Sequence, residues 1–95
     1  MFLVFLKFSH NKSQASQHMD GHKNWLQAGF DDDVFLAAGS LKPNLGGGII
    51  ANNITLPELE ARVAKDPFVA ESIVSAEIIE MSVAKTDERL SFLLG

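Results

Sequence analysis

Hydrophobic positions recur along this chain with two different periods. In "FLVFLKF", residues 2 to 8, apolar residues fill both alternating registers over a run too short for a stable helix, which predicts a strand. The polar stretch Ser9 to Gln17 leads into a segment with a longer period. At about 100° per residue, Ala15, His18, Met19, His22, Trp25, Leu26 and Gly29 fall on one stripe, with Ser16, Asp20, Lys23 and Gln27 opposite. This predicts an amphipathic helix ending near Gly29. Asp31 to Asp33 then make an acidic turn, Val34 to Lys42 have strand character, and "PNLGGG" reads as a hairpin loop into a strand over Gly48 to Asn52.

The second half opens on Thr55, followed three residues later by Glu58, a capping-box spacing with Pro57 in the first turn. A helix is expected from Leu56 to about Lys65, with Leu56, Leu59 and Val63 on its apolar face. Asp66 can cap a short turn begun by Pro67. Ser72 to Val83 predict a fourth strand, and residues 84–95 a short terminal helix presenting Leu90, Leu93 and Leu94. The order β-α-β-β-α-β is the ferredoxin-like α+β plan, four antiparallel strands with both helices on one face. The first strand is apolar on both sides, with Phe2, Val4 and Leu6 on one and Leu3 and Phe5 on the other. A second copy of the sheet is the economical cover for the remaining face, so a homodimer is expected.

Composition narrows the function classes. The 95 residues suit one domain, with a core over 1–83 and the terminal helix over 84–95. The chain is 46% hydrophobic and 21% charged, and it has no cysteine, so the core must be held by apolar packing. Net charge is −4 and the basic residues are dispersed, which argues against nucleic-acid binding. "MFLVFLKF" has no basic n-region and is interrupted by Lys7, so it reads as a strand rather than a secretory signal. No run approaches the ~20 apolar residues of a membrane helix, and a cytoplasmic location is expected.

His22 is the residue to explain, because it sits mid-stripe where a helix should place a hydrocarbon. His18 and His22, four apart, could share a metal with His10 as a third ligand, but no glutamate of the HExxH kind and no cysteine supports them, and no metal is expected. Nor does any motif mark His18 or His22 as a haem ligand, and no cofactor is expected. Asp31 to Asp33 lack the alternating oxygen ligands of a calcium loop. The glycine run precedes a strand, not a helix N-terminus, so it is no phosphate cradle; its glycines serve either positive φ or close approach to a ligand. His22 is then either a packed imidazole with satisfied nitrogens or a general acid-base, the second needing a partner to fix its tautomer. Asp66 is the candidate, and capping a turn leaves a carboxylate lone pairs with which to orient a ring.

On "GHKNWLQAGF", Leu36 to Leu41 and "KDPFVAESIVSAEIIE", taken in that order, the chain resembles the YciI-like (YCII-related) family over roughly residues 1–83. The resemblance implies a dimeric α+β barrel, formed when two sheets pack face to face, and a His and an Asp at a pocket, which fall here on His22 and Asp66. One relative forms part of a dehydrochlorinating enzyme acting on a hydroxylated aromatic, so the resemblance implies acid-base elimination, or lyase or isomerase chemistry, on a small organic molecule. Many members carry Arg shortly before the His and Gly-Pro in the second strand. Here Met19, Asp20 and Gly21 precede His22, and Gly39-Ser40 replaces Gly-Pro. Trp25, Phe68 and Ser40 are the expected substrate-binding wall. The competing reading is a non-catalytic ligand-binding or assembly module in which His22 satisfies a buried hydrogen bond.

Overall fold

The computed structural model describes residues 1–94. Strand β1 (Phe2–Phe8) alternates as its sequence requires, with Phe2, Val4 and Leu6 buried and Leu3 and Phe5 half-buried on the other side. It lies between β3 (Gly46–Ala51) and β4 (Val74–Glu80), and β2 (Phe35–Leu41) adds to the free side of β3. All three pairings are antiparallel, in the order β2-β3-β1-β4. Helices α1 (Ala15–Asp31), α2 (Leu56–Ala64) and the single turn α3 (Pro67–Ala70) connect the strands, completing the ferredoxin-like α+β arrangement. Leu59, Val63, Phe68 and Ile73 close the core against Val4, Ile49 and Phe35.

Helix α1 buries the stripe expected of it: Ala15, His18, Met19, His22, Trp25 and Leu26 are half-buried and Gly29 buried, while Ser16, Asp20, Lys23 and Gln27 are exposed. A short 3-10 turn, Lys12–Gln14, precedes it. The helix does not stop at Gly29. That glycine instead admits the Phe35 ring, since a Cβ there would overlap the ring carbons. The acidic run ends the helix: Asp33 takes φ +59, its N–H donates to Phe30, and the Val34 N–H donates to Gly29. This pairing, with a left-handed residue just beyond the last turn, is the Schellman arrangement that satisfies terminal carbonyls.

The capping box forms as the spacing predicts, with the Glu58 N–H donating to Thr55 Oγ1 and the Thr55 N–H to Glu58 Oε1. Three further boundaries differ from the sequence expectation. β3 begins at Gly46, two residues early, because the glycine run itself pairs with β1 and β2. β4 spans Val74–Glu80 rather than 72–83: Ser72 turns at φ +55, and beyond Glu80, paired with Phe2, the Met81 N–H reaches Met1 and the ladder stops. The terminal segment is a 3-10 helix, Glu88–Leu94, broken at Leu90, in place of a helix from residue 84. Leu90, Phe92 and Leu94 are about half exposed, so no packed face stabilises an α-helix there, and short helices are marginal without one.

On the sheet face away from the helices, Ile79, Leu3 and Ile50 lie side by side in the pairing register. None of them is fully buried. No helix among the described residues is long and apolar enough to cross a membrane.

Candidate functional site

Two elements far apart in sequence supply the central pair. α1 carries His22 on its inward stripe, and the break between α2 and α3 carries Asp66. Asp66 adopts the extended backbone of an N-cap, and its Oδ1 accepts the Phe68 N–H at 3.0 Å. The same Oδ1 lies 2.8 Å from His22 Nδ1. Capping and ring orientation are thus tasks of one oxygen atom.

Close approach of the two elements depends on Gly21. A Cβ at that position would stand 3.2 Å from Pro67 Cγ, a tight contact, so the glycine just before His22 lets α1 settle against α3. Phe68 then lies under the imidazole, with ring centroids 4.1 Å apart and planes within 5°. Trp25, one turn on, sits 5.9 Å from the imidazole and donates its indole N–H to the Arg62 carbonyl at 2.9 Å, tying α1 to the last turn of α2. Its other neighbour is Phe35, at 5.3 Å.

Asp66 is fully buried, and its Oδ2 has no hydrogen-bond partner among the described residues. Burying a carboxylate is costly unless it is paired, so the His22 contact carries most of its compensation. With the carboxylate as acceptor, Nδ1 is the protonated nitrogen, and a neutral ring keeps its lone pair on Nε2. Nε2 has no protein partner among the described residues and is not buried. The ring therefore has one nitrogen fixed and one available, the division of labour a general base needs.

His22 lines a cavity of about 340 Å³ between α1 and the sheet. Phe68 and Ser40 line it too, Ser40 from the helix-facing side of β2. Trp25 is not among the lining residues; it packs behind the imidazole against Phe35. Most of the remaining wall is apolar, including Leu6, Met19, Leu26 and Ile49. Lys23, exposed on the polar face of α1 as the projection predicts, borders the cavity as well. It lies next to His22 on the helix, and a long side chain can bend from the polar face toward a hollow, which an angular projection does not register. Among the described residues no three His, Cys, Asp or Glu side chains gather as a metal site, and His10 and His18 do not line the cavity.

No protein-family model matches the chain, and no curated protein matches it significantly. Among solved structures, the chain is similar in fold to 5-chloro-2-hydroxyhydroquinone dehydrochlorinase of Burkholderia phenoliruptrix, determined in complex with 2,5-dihydroxybenzoquinone. The TM-score is 0.70 at 12% identity, over 88% of this chain and 96% of that one. At this identity the likeness concerns the fold.

Proposed function

We propose that this chain is a YciI-like acid-base enzyme acting on a small organic molecule, with His22 as the proton-transferring group and Asp66 as the residue that orients it. The observation that carries the reading is the 2.8 Å contact between His22 Nδ1 and a fully buried carboxylate, made at the wall of a cavity of about 340 Å³. Nε2 takes a proton from a C–H or O–H of the substrate. The electron pair left behind forms a new double bond, and a leaving group departs with its own pair or the proton returns at another carbon. The first outcome is elimination and the second isomerisation. As the ring gains its positive charge, the carboxylate stabilises it without taking the proton itself. Phe68 supports the plane of the ring, and Ser40 offers a hydroxyl to the substrate.

Two similarities support this class. The dehydrochlorinase with a similar fold acts by its name on a chlorinated, hydroxylated aromatic, and the sequence motifs around His22 and Asp66 resemble the YciI-like pattern. In the same reading the chain works as one cytoplasmic domain that dimerises through the face bearing Leu3, Ile50 and Ile79, closing an α+β barrel.

The test is a screen of chlorinated hydroxyhydroquinones for chloride release, together with enolisable cyclic ketones for deuterium uptake from D2O. Wild type should turn over at least one of them. His22→Asn should lower that rate by roughly 10²- to 10⁴-fold, and Asp66→Asn should lower it too by releasing the tautomer. No turnover in either series, or turnover indifferent to His22, would refute the acid-base reading. Sedimentation at micromolar concentration should give a dimer; a compact monomer would remove the barrel.

A further inference from the structure

The glycine run on β3 serves two purposes that the structure separates. Gly46 has φ +132, and a Cβ there would meet the Leu6 carbonyl, so the backbone itself demands glycine. Gly47 has no such requirement. A Cβ on Gly47 would find only the Gly39 carbonyl, 3.5 Å away in ordinary contact.

The pairing register shows what the absent side chain leaves behind. Gly47 is opposite Leu6 on one side and Ser40 on the other, so all three share the helix-facing side of the sheet. One register pair further along, the same face carries Val4, Ile49 and Ala38. The helix-facing layer therefore has an apolar side chain at position 49 and none at 47, and the cavity opens at that gap, below Met19, His22 and Leu26. A glycine inside a strand weakens it through backbone entropy and lost packing. Where neither conformation nor crowding requires it, the remaining use is to hold space open.

The charge of the wall is equally one-sided. Among the described residues its only ionisable side chains are His22 and Lys23, and no Asp or Glu lines it. Lys23 makes no ion pair among the described residues, in a chain whose net charge is −4. Carboxylates are available in number, yet Asp66, the one in contact with a wall residue's ring, does not line the cavity and is already engaged by the imidazole.

We infer that the cavity accepts a compact, largely apolar organic anion, a phenolate, enolate or small carboxylate, with Lys23 holding its charge and Gly47 giving its body room. The inference rests on taking this cavity as the substrate site proposed above, and it names the substrate class. Lys23 holds that charge as a point charge and not as a planar fork.

Binding, measured on the full chain by calorimetry and ligand-observed NMR, tests this independently of turnover. The anionic probes are 4-nitrophenolate, benzoate and the anion of 2,5-dihydroxybenzoquinone; 4-nitroanisole and benzamide are the neutral counterparts. At least one anion should bind about tenfold tighter than its neutral counterpart, a ratio worth about 1.4 kcal/mol. Lys23→Gln should bring anion and neutral probe to within about twofold, and Lys23→Arg should restore the preference. Gly47→Val should abolish binding of every probe while the melting temperature stays level or rises. The inference is overturned if no probe binds, if anions have no advantage, if Lys23→Gln leaves that advantage intact, or if Gly47→Val binds normally. Anion binding without turnover would strike only the acid-base chemistry, and turnover without anion preference only this inference.

Discussion

The two halves of the ferredoxin-like plan cross their sheet in different ways. The first uses one unbroken helix, the 17 residues of α1. The second uses nine residues of α2, a break at Asp66 and Pro67, and the single turn of α3. An unbroken helix satisfies its own backbone and offers only side chains to its neighbours, so α1 contributes a face. A break exposes free N–H groups inside the protein and calls for an acceptor at depth, and that is how a fully buried carboxylate arises at position 66. The irregular half thus generates the polar group, and the regular half delivers the imidazole to it. Gly21 is the concession α1 makes to that meeting.

The contrast can be broken most severely from the α1 side. His22→Phe keeps an aromatic ring over Phe68 but leaves the buried Asp66 with only the Phe68 N–H, and chemical denaturation should show a loss of about 3 kcal/mol. Asp66→Ala removes the charge with its partner's anchor and the cap together, and should cost about 2 kcal/mol. Because the two side chains compensate each other, the double variant should be less destabilised than the sum by about 2 kcal/mol; strict additivity would mean the pair is not coupled. A smaller effect belongs to Gly21→Ala. The helix gains up to about 1 kcal/mol in propensity while Pro67 is pushed back, so net stability should move by less than about 1 kcal/mol, yet the His22 Nδ1 proton should lose exchange protection in NMR. Smallest is Asp32→Asn, which releases the 2.7 Å ion pair from Arg62 that joins the end of α1 to α2. Both partners are partly solvated, and the change should be about 0.5 kcal/mol or less by thermal melts at low salt.

How much of this could be read in advance follows the range of the interaction concerned. The stripe of α1, the capping box at Thr55 and Glu58, and the cap at Asp66 are set by neighbours within one or two turns, and the sequence states them directly. That His22 needed explaining was equally visible. That its partner lies 44 residues away was a matter of resemblance and capping logic, since nothing local to His22 points to Asp66. Features decided by close approach escaped: Gly29 reads as a helix stop and is instead a seat for Phe35, and Gly21 reads as nothing at all. Trp25, on the inward stripe, could be assigned to a wall but not to the particular space behind that wall. That Lys23 borders the cavity was hidden because a helical projection registers the direction of a Cα and not the reach of a long side chain. The fourth strand and the tail differ for other reasons: β4 pairs only as far as Glu80, opposite Phe2, although alternation continues in the sequence, and the tail finds no packed face that would hold an α-helix.

A single oxygen, Asp66 Oδ1, closes the first turn of α3 and holds the imidazole. Winding of that turn and orientation of the imidazole are therefore linked through one atom, and a displacement of the Asp66 side chain loosens both. The Phe68 amide becomes a built-in gauge: its rate of exchange with solvent deuterium should report how often the bond to Asp66 Oδ1 opens.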